Sequence, residues 1–313
     1  MTGSIDIRRS YPADATLSMT PAADGWPLRT FDRPSTGHRG SILWFGGRGD
    51  IIEKYLECFA AWHDAGWHVT AVDWRGQGGS GRITDDQWLG HIDDFETWVA
   101  DLRYFWRAWI ARTPGPHVLM GHSMGGHLVL RALVEKAVDP DAAVLSAPML
   151  AFAGRTPKWL ASIVAGTLGR LVPTKRAWKY NERPSPPDAS RQAFLTHDDD
   201  RYADELWWKG EKPDIALGPP SWGWMAAAVR SFDVIDHSGA VEAVKTPVLI
   251  VGTDGDRLVS PQAIHDAAMR LPHGELLMLD KSAAHEVLRE VDSARDTLMA
   301  RITKFLDANA GAR

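Results

Sequence analysis

The pentapeptide Gly121-His122-Ser123-Met124-Gly125 sets a serine between two glycine-flanked positions. It follows the apolar run His117 to Met120 and opens a segment whose Leu128, Val129, Ala132 and Leu133 recur at helical spacing. A sharp turn between strand and helix would lift the Ser123 hydroxyl clear of a sheet. Glycines at 121 and 125 suit such a turn, because backbone crowds there and a Cβ would clash. A serine hydroxyl is a weak nucleophile at neutral pH and needs a base held by a third group. Of the twelve histidines, His273 and His285 lie nearest the chain's end, and His273 precedes the run Glu275 to Leu279, at the wrong edge of a sheet. His285 is the expected base, with activity rising with pH through about 6 to 7. Asp254 and Asp256 compete to orient it; spacing from the preceding strand does not decide between them, and Asp256 is favoured. The acid would hold the imidazole in one tautomer without itself taking the proton. Charge developing on a carbonyl oxygen needs two backbone N–H donors. Met124, after the nucleophile, supplies one; the loop Gly46-Gly47-Arg48-Gly49-Asp50 supplies the other, with the N–H of Arg48 the expected donor. Together these groups would perform acyl transfer through a covalent intermediate.

These residues need a scaffold. Short β-rich runs (Ser41 to Phe45, His68 to Trp74, His117 to Met120, Ala142 to Ala147, Pro247 to Gly252, Glu275 to Leu279) alternate with helical segments. The helical segments are Ile51 to Ala65, Phe95 to Ala111, Gly126 to Lys136, Pro261 to Arg270 and Val287 to Ala308. That alternation predicts an α/β fold, a mostly parallel central sheet with helices on both faces. Thr16 to Met19 and Trp26 to Phe31 flank an Asp24-Gly25 turn signal and read as an antiparallel hairpin. After Pro148 the alternation stops, resuming at Pro247. The intervening residues hold Pro173, Pro184, Pro186, Pro187, Pro213, Pro219 and Pro220 and six tryptophans, 159, 178, 207, 208, 222 and 224. They read as an inserted helical cap. The expected division is core over 1–148, cap over 149–239 and core again over 240–313.

Several function classes fall away. A net charge of −5 leaves no basic excess for a phosphate backbone, so nucleic acid is not an expected partner. The single Cys58, among Tyr55, Leu56, Phe59 and Trp62, allows no internal disulfide or cysteine-based zinc site and reads as a buried packing residue. Gly76-Gln77-Gly78-Gly79-Ser80-Gly81 matches a dinucleotide fingerprint, yet Arg82 to Asp86 opens no helix on which a pyrophosphate could rest. His197-Asp198-Asp199-Asp200 reads as a solvated helix N-terminus and not a metal site. No cofactor is expected. The start, with Asp6, Arg8 and Arg9, does not develop a signal peptide's apolar core, so a cytoplasmic protein is expected. No stretch reaches the roughly 18 uncharged apolar residues of a membrane span, although Trp159 to Val172, interrupted only by Arg170, comes near. Its Leu160, Val164, Leu168 and Leu171 form one helical stripe that either packs inward or faces a membrane surface.

The chain resembles the lysophospholipase and monoacylglycerol lipase branch of the α/β hydrolases, grouped with serine aminopeptidase-like hydrolases. The resemblance rests on Gly47 to Tyr55, Asp73 to Ser80, Gly121 to Gly126, Asp256 to Val259 and His285 to Leu288, and the first two blocks look closest to bacterial lysophospholipases. It implies the α/β-hydrolase fold with about eight strands and a cap, and a triad of Ser123, Asp256 and His285. It also implies that the block from Asp73 to Ser80 shapes the turn beneath the site. Monoacylglycerol lipases carry His-Gly-x-Gly-Glu at the oxyanion loop, where this chain has Gly46 for the histidine and Asp50 for the glutamate; the departure bears on substrate, not mechanism. The expected substrate is a small lipid or ester with one acyl chain, a lysophospholipid or monoacylglycerol, since the cap's tryptophans suit an apolar slot with a wet mouth. A small-ester hydrolase or aminopeptidase-like amidase is the alternative in the same class. A non-catalytic hydrolase-like receptor would tend to lose a triad member, and none is missing.

Overall fold

The computed structural model describes residues 7–37, 39–154, 157–178 and 189–311. Pro184, Pro186 and Pro187 of the inserted segment, and residues 1–6 of the start, lie outside them. Eight strands form one sheet: β1 (Thr16–Pro21), β2 (Pro27–Arg33), β3 (Ser41–Phe45), β4 (His68–Val72), β5 (His117–His122), β6 (Ala142–Ser146), β7 (Val248–Thr253) and β8 (Gly274–Leu279). Their order across the sheet is β1-β2-β4-β3-β5-β6-β7-β8. The β1/β2 and β2/β4 pairs are antiparallel, and all later pairs are parallel. Every residue of β3, β4, β6 and β7 is buried, which is why these strands read as mainly apolar runs.

Five helices cover the sheet between or after the strands: α1 (Leu56–Asp64), α2 (Glu96–Ile110), α3 (Met124–Val134) and, late in the chain, Pro261–Arg270 and Asp292–Asn309. Leu43 and Phe45 of β3 join one core with Trp98, Trp106 and Trp109 of α2 and Leu128 of α3. Ile42 and Trp44 join a second core with Phe59 and Trp62 of α1 and with Leu298, Ile302 and Phe305. Alternate side chains of one strand thus enter opposite layers, as the two-residue period of a strand requires. Two expected helices are broken: short 3-10 turns at Ile52–Tyr55 and Val287–Arg289 precede the regular helices. Carboxylates anchor the backbone beside both turns. Asp73 Oδ1 accepts the Ile52 N–H at 3.2 Å, and Glu290, between the second turn and its helix, turns its carboxylate back to the Ala284 N–H at 2.6 Å.

Between β6 and β7 lie α4 (Lys158–Leu171), α5 (Ala189–Leu195), α6 (Asp199–Glu211) and α7 (Trp222–Asp236), so Pro261–Arg270 is α8 and Asp292–Asn309 is α9. In α4 the small residues face α7: Ala165 is buried, and a Cβ on Gly169 would come within 2.6 Å of the Ala226 Cβ. Its large apolar residues point away, with Trp159 65%, Ile163 58% and Leu171 72% exposed. Asp198 caps α6 by accepting the Arg201 N–H at 2.8 Å. It also pairs with the Arg201 guanidinium, a buried cation that reaches Glu57 and Asp292, so this end of α6 is docked to the core and not simply solvated. No helix among the described residues is long and apolar enough to cross a membrane.

Candidate active site

The loops that leave the carboxyl ends of β3, β5, β7 and β8 converge, as ligand sites of open parallel sheets do. Ser123 lies between β5 and α3 at φ 51°, a strained value for a residue with a Cβ. The strain is imposed on both sides. Its N–H donates to Ser146 O at 2.8 Å, and its carbonyl accepts the Met149 N–H at 2.9 Å. Gly121 and Gly125 permit the turn, since a Cβ on Gly121 would meet the Gly125 carbonyl carbon at 2.5 Å and one on Gly125 would meet Gly46 O at 2.5 Å.

His285 follows β8, with its Nε2 2.9 Å from Ser123 Oγ and its Nδ1 2.6 Å from Asp256 Oδ2. An ionised carboxylate can only accept, so Nδ1 carries the proton and the Nε2 lone pair faces the serine hydroxyl. Asp256 also accepts the N–H groups of Leu258 and Val259 through Oδ1. Burial works against its charge, but His285 and these donors hold its pKa below the usual carboxylate value. Asp254 points elsewhere, to His265 Nε2 at 3.0 Å on the surface. For His285, burial disfavours the imidazolium, yet the Asp256 carboxylate outweighs it and raises the pKa above 6.5. That exceeds the value expected for an ordinary histidine.

The loop after β3 lies against Ser123, for a Cβ on Gly47 would come within 2.9 Å of the Ser123 Cβ. Its shape is held by two side chains: Asp50 Oδ2 accepts the Gly47 N–H and Gln77 Oε1 accepts the Gly49 N–H, each at 2.7 Å. Arg48 lies between these two anchors. Its guanidinium donates to Gly218 O at 2.8 Å and stacks over Trp224 of α7 at 5.8 Å, joining this loop to the inserted segment. Met124 is the first residue of α3, where a backbone N–H has no acceptor within its own helix.

The block Asp73 to Ser80 folds as a tight turn under this loop. Asp73 accepts the Gly79 N–H and pairs with Arg29, which also grips Glu53 at 2.7 and 2.8 Å. Gln77 is the member of that block that reaches the site. Cys58 is buried, and burial pushes its thiol pKa up, so it offers no nucleophile.

Sequence reasoning missed a charged layer behind His285. Lys54 Nζ lies 2.5 Å from both Asp50 and Glu286, and 3.4 Å from Glu205 of α6. His122, buried beside His285 at a ring separation of 4.9 Å, is pushed down to about 4 chiefly by burial and is neutral at neutral pH. The signal was present: charged residues at 50, 53 and 54 interrupt an otherwise apolar stretch.

Known proteins share this arrangement of chain. A family model described as serine aminopeptidase, S33, matches residues 36–292. The chain is 28% identical to lysophospholipase L2 of Escherichia coli (strain K12), over 94% of this chain and 92% of that one. Among solved structures, a soluble variant of monoglyceride lipase from Saccharomyces cerevisiae, in complex with a substrate analog, superposes with a TM-score of 0.77. It is 18% identical over 98% of both chains. The monoacylglycerol lipase of Paleococcus ferrophilus gives 0.68 at 19% identity, covering 94% of this chain and 98% of that one.

Proposed function

From the premise that the chain belongs to the serine aminopeptidase, S33, family and has the α/β-hydrolase fold, we propose that it hydrolyses carboxylic esters of single-chain lipids, lysophospholipids or monoacylglycerols. The observation that carries this reading is the unbroken hydrogen-bonded chain from Ser123 through His285 to Asp256. Ser123 Oγ attacks the ester carbonyl as its proton passes to His285 Nε2, and the Met124 and Arg48 N–H groups receive the oxyanion. Collapse expels the alcohol, which takes the proton from Nε2, and leaves an acyl group on Ser123. Water then attacks, giving its proton to the same nitrogen, and the fatty acid departs as Ser123 regains its hydrogen.

The relatives' names, lysophospholipase L2 and monoglyceride lipase, support the single-chain substrate. An amidase acting on a free amine would need a carboxylate facing the substrate, whereas Asp50 and Glu286, beside the base, are buried and paired with Lys54. We take residues 149–239 as the cap over a core of 1–148 and 240–313. The outward apolar face of α4 supports a transient contact of that cap with membrane or micelle surface. Assay of the purified protein on a lysophospholipid, a monoacylglycerol, a short aryl ester and an aminoacyl amide tests the reading. Turnover of the first three without the amide is expected; preference for the amide would overturn it.

A further inference from the structure

Buried charge is costly, and the layer behind the base contains five ionic side chains that are each at most 6% exposed: Asp50, Lys54, Glu205, Glu286 and Arg289. They come from three separate segments. Asp50 belongs to the oxyanion loop, where its Oδ2 accepts the Gly47 N–H at 2.7 Å and the Tyr55 hydroxyl at 2.9 Å. Glu286 adjoins the base, and its carboxylate pairs with both Lys54 and Arg289. Glu205 comes from α6 and meets Lys54 and Arg289, each at 3.4 Å. Backbone bonds run alongside, for the His285 and Glu286 N–H groups donate to Phe194 and Leu195 carbonyls of α5 at 3.2 and 2.7 Å.

We propose that Lys54 is a positioning residue: by pairing with Asp50, Glu286 and Glu205 it locks the oxyanion loop, the base loop and the cap helix α6 into one unit. It touches neither Ser123 nor substrate. Its second effect is electrostatic. The groups facing His285 are Asp256, neutral His122, Asp50 and Glu286, with Tyr55, Arg289 and Glu205 behind them and Arg257 stacked on Phe194 at 4.2 Å. Asp50 and Glu286 both favour the imidazolium, and donors besides Lys54 hold each ionised, the Gly47 N–H and Tyr55 hydroxyl at Asp50 and Arg289 at Glu286. Lys54 therefore offsets the two carboxylates that would otherwise hold the base protonated.

The proposal rests on His285 being the base, so the test reads the ring itself as well as turnover. The His285 titration is followed by NMR in full-length Ser123→Ala protein, alone and combined with Lys54→Met or Glu286→Gln. Turnover is measured with the corresponding single variants on a soluble aryl ester. Removing the cation should raise the His285 pKa, and removing the carboxylate should lower it. Each shift should be about half a pH unit, a fraction of the one to three units a direct partner gives. Lys54→Met should also lose about tenfold in kcat with KM little changed, as expected for a misplaced base. Folded variants whose ring titrates as in the parent, or both of which shift in the same direction, would overturn the proposal. If Lys54→Met does not fold, Lys54→Gln, which keeps hydrogen-bonding capacity without the charge, takes its place: an upward shift supports the proposal and no shift overturns it. If turnover of the otherwise wild-type enzyme fails to follow the His285 titration, the assignment of the base falls, and the ring shifts still decide the role of Lys54.

Discussion

Asp254 and Asp256 stand two positions apart, and the turn between them aims the two carboxylates in different directions. The Thr253 hydroxyl accepts the Gly255 N–H at 3.0 Å, folding the chain so that Asp254 faces His265 on the surface while Asp256 reaches inward to His285. Spacing from β7 could not reveal this, because the outcome depends on a side-chain hydrogen bond inside the turn. Asp256→Asn should lower kcat on the order of 10⁴-fold by favouring the wrong tautomer. Asp254→Asn should leave kcat near normal, and steady-state kinetics of the two variants checks both. The base must be neutral to take the serine's proton, and the Asp256 carboxylate favours its charged form. Activity is therefore lost as pH falls through the His285 pKa, which Asp256 holds above the ordinary histidine value. A kcat/KM profile with its acid limb above that value is expected, moving down in Asp256→Asn. The meeting of Lys54, Glu286 and Glu205 was beyond sequence reasoning for another reason: Lys54 and Glu286 are 232 positions apart, and only the fold makes them neighbours.

At the scale of elements, the strands were legible because buried parallel strands must be apolar throughout, and β3 spans the residues read from the sequence. The turn from β5 into α3 was legible from its glycines and from the change of period on either side. The short turns at Ile52–Tyr55 and Val287–Arg289 were not, since the carboxylates that anchor the backbone beside them, Asp73 at Ile52 and Glu290 at Ala284, act through side-chain contacts that a helical period does not record. The apolar stretch of α4 carries two faces, and composition could not say which turns outward. The small residues Ala161, Ala165 and Gly169, four apart, held that signal, for only a face without bulk allows the backbone of α7 so near. Leu160→Ser combined with Ile163→Ser should change stability by no more than about 0.5 kcal/mol per site, since both side chains are already exposed. The double variant should keep its rate on a soluble short-chain ester and lose about tenfold or more in vesicle binding and in activity on long-chain lipid. Melting curves and vesicle sedimentation check this. Equal loss of both activities with a lower Tm would mean that the face packs within the protein.

Across the whole molecule, one sheet joins residues from every part of the chain at its carboxyl edge. Ser123 and His285, 162 positions apart, meet because β5 and β8 run parallel with β6 and β7 between them. The antiparallel end is tied to the same edge through Arg29 of β2, which pairs with Glu53 and Asp73 beneath the loop after β3. The alternation of strand and helix made this architecture legible, whereas the seating of the inserted helices was not. Besides apolar side chains such as Trp224, Ala228 and Phe232 of α7, which join the first core, they are seated by single hydrogen bonds, such as Arg48 to Gly218 and Glu286 to Leu195, that leave no periodic trace. The account depends most directly on Ser123 being the nucleophile that His285 activates. Intact-mass measurement after exposure to a fluorophosphonate probe tests this: wild-type protein should gain a single adduct, Ser123→Ala none, and His285→Ala should label on the order of 10³-fold more slowly. An adduct that persists in folded Ser123→Ala protein would contradict it.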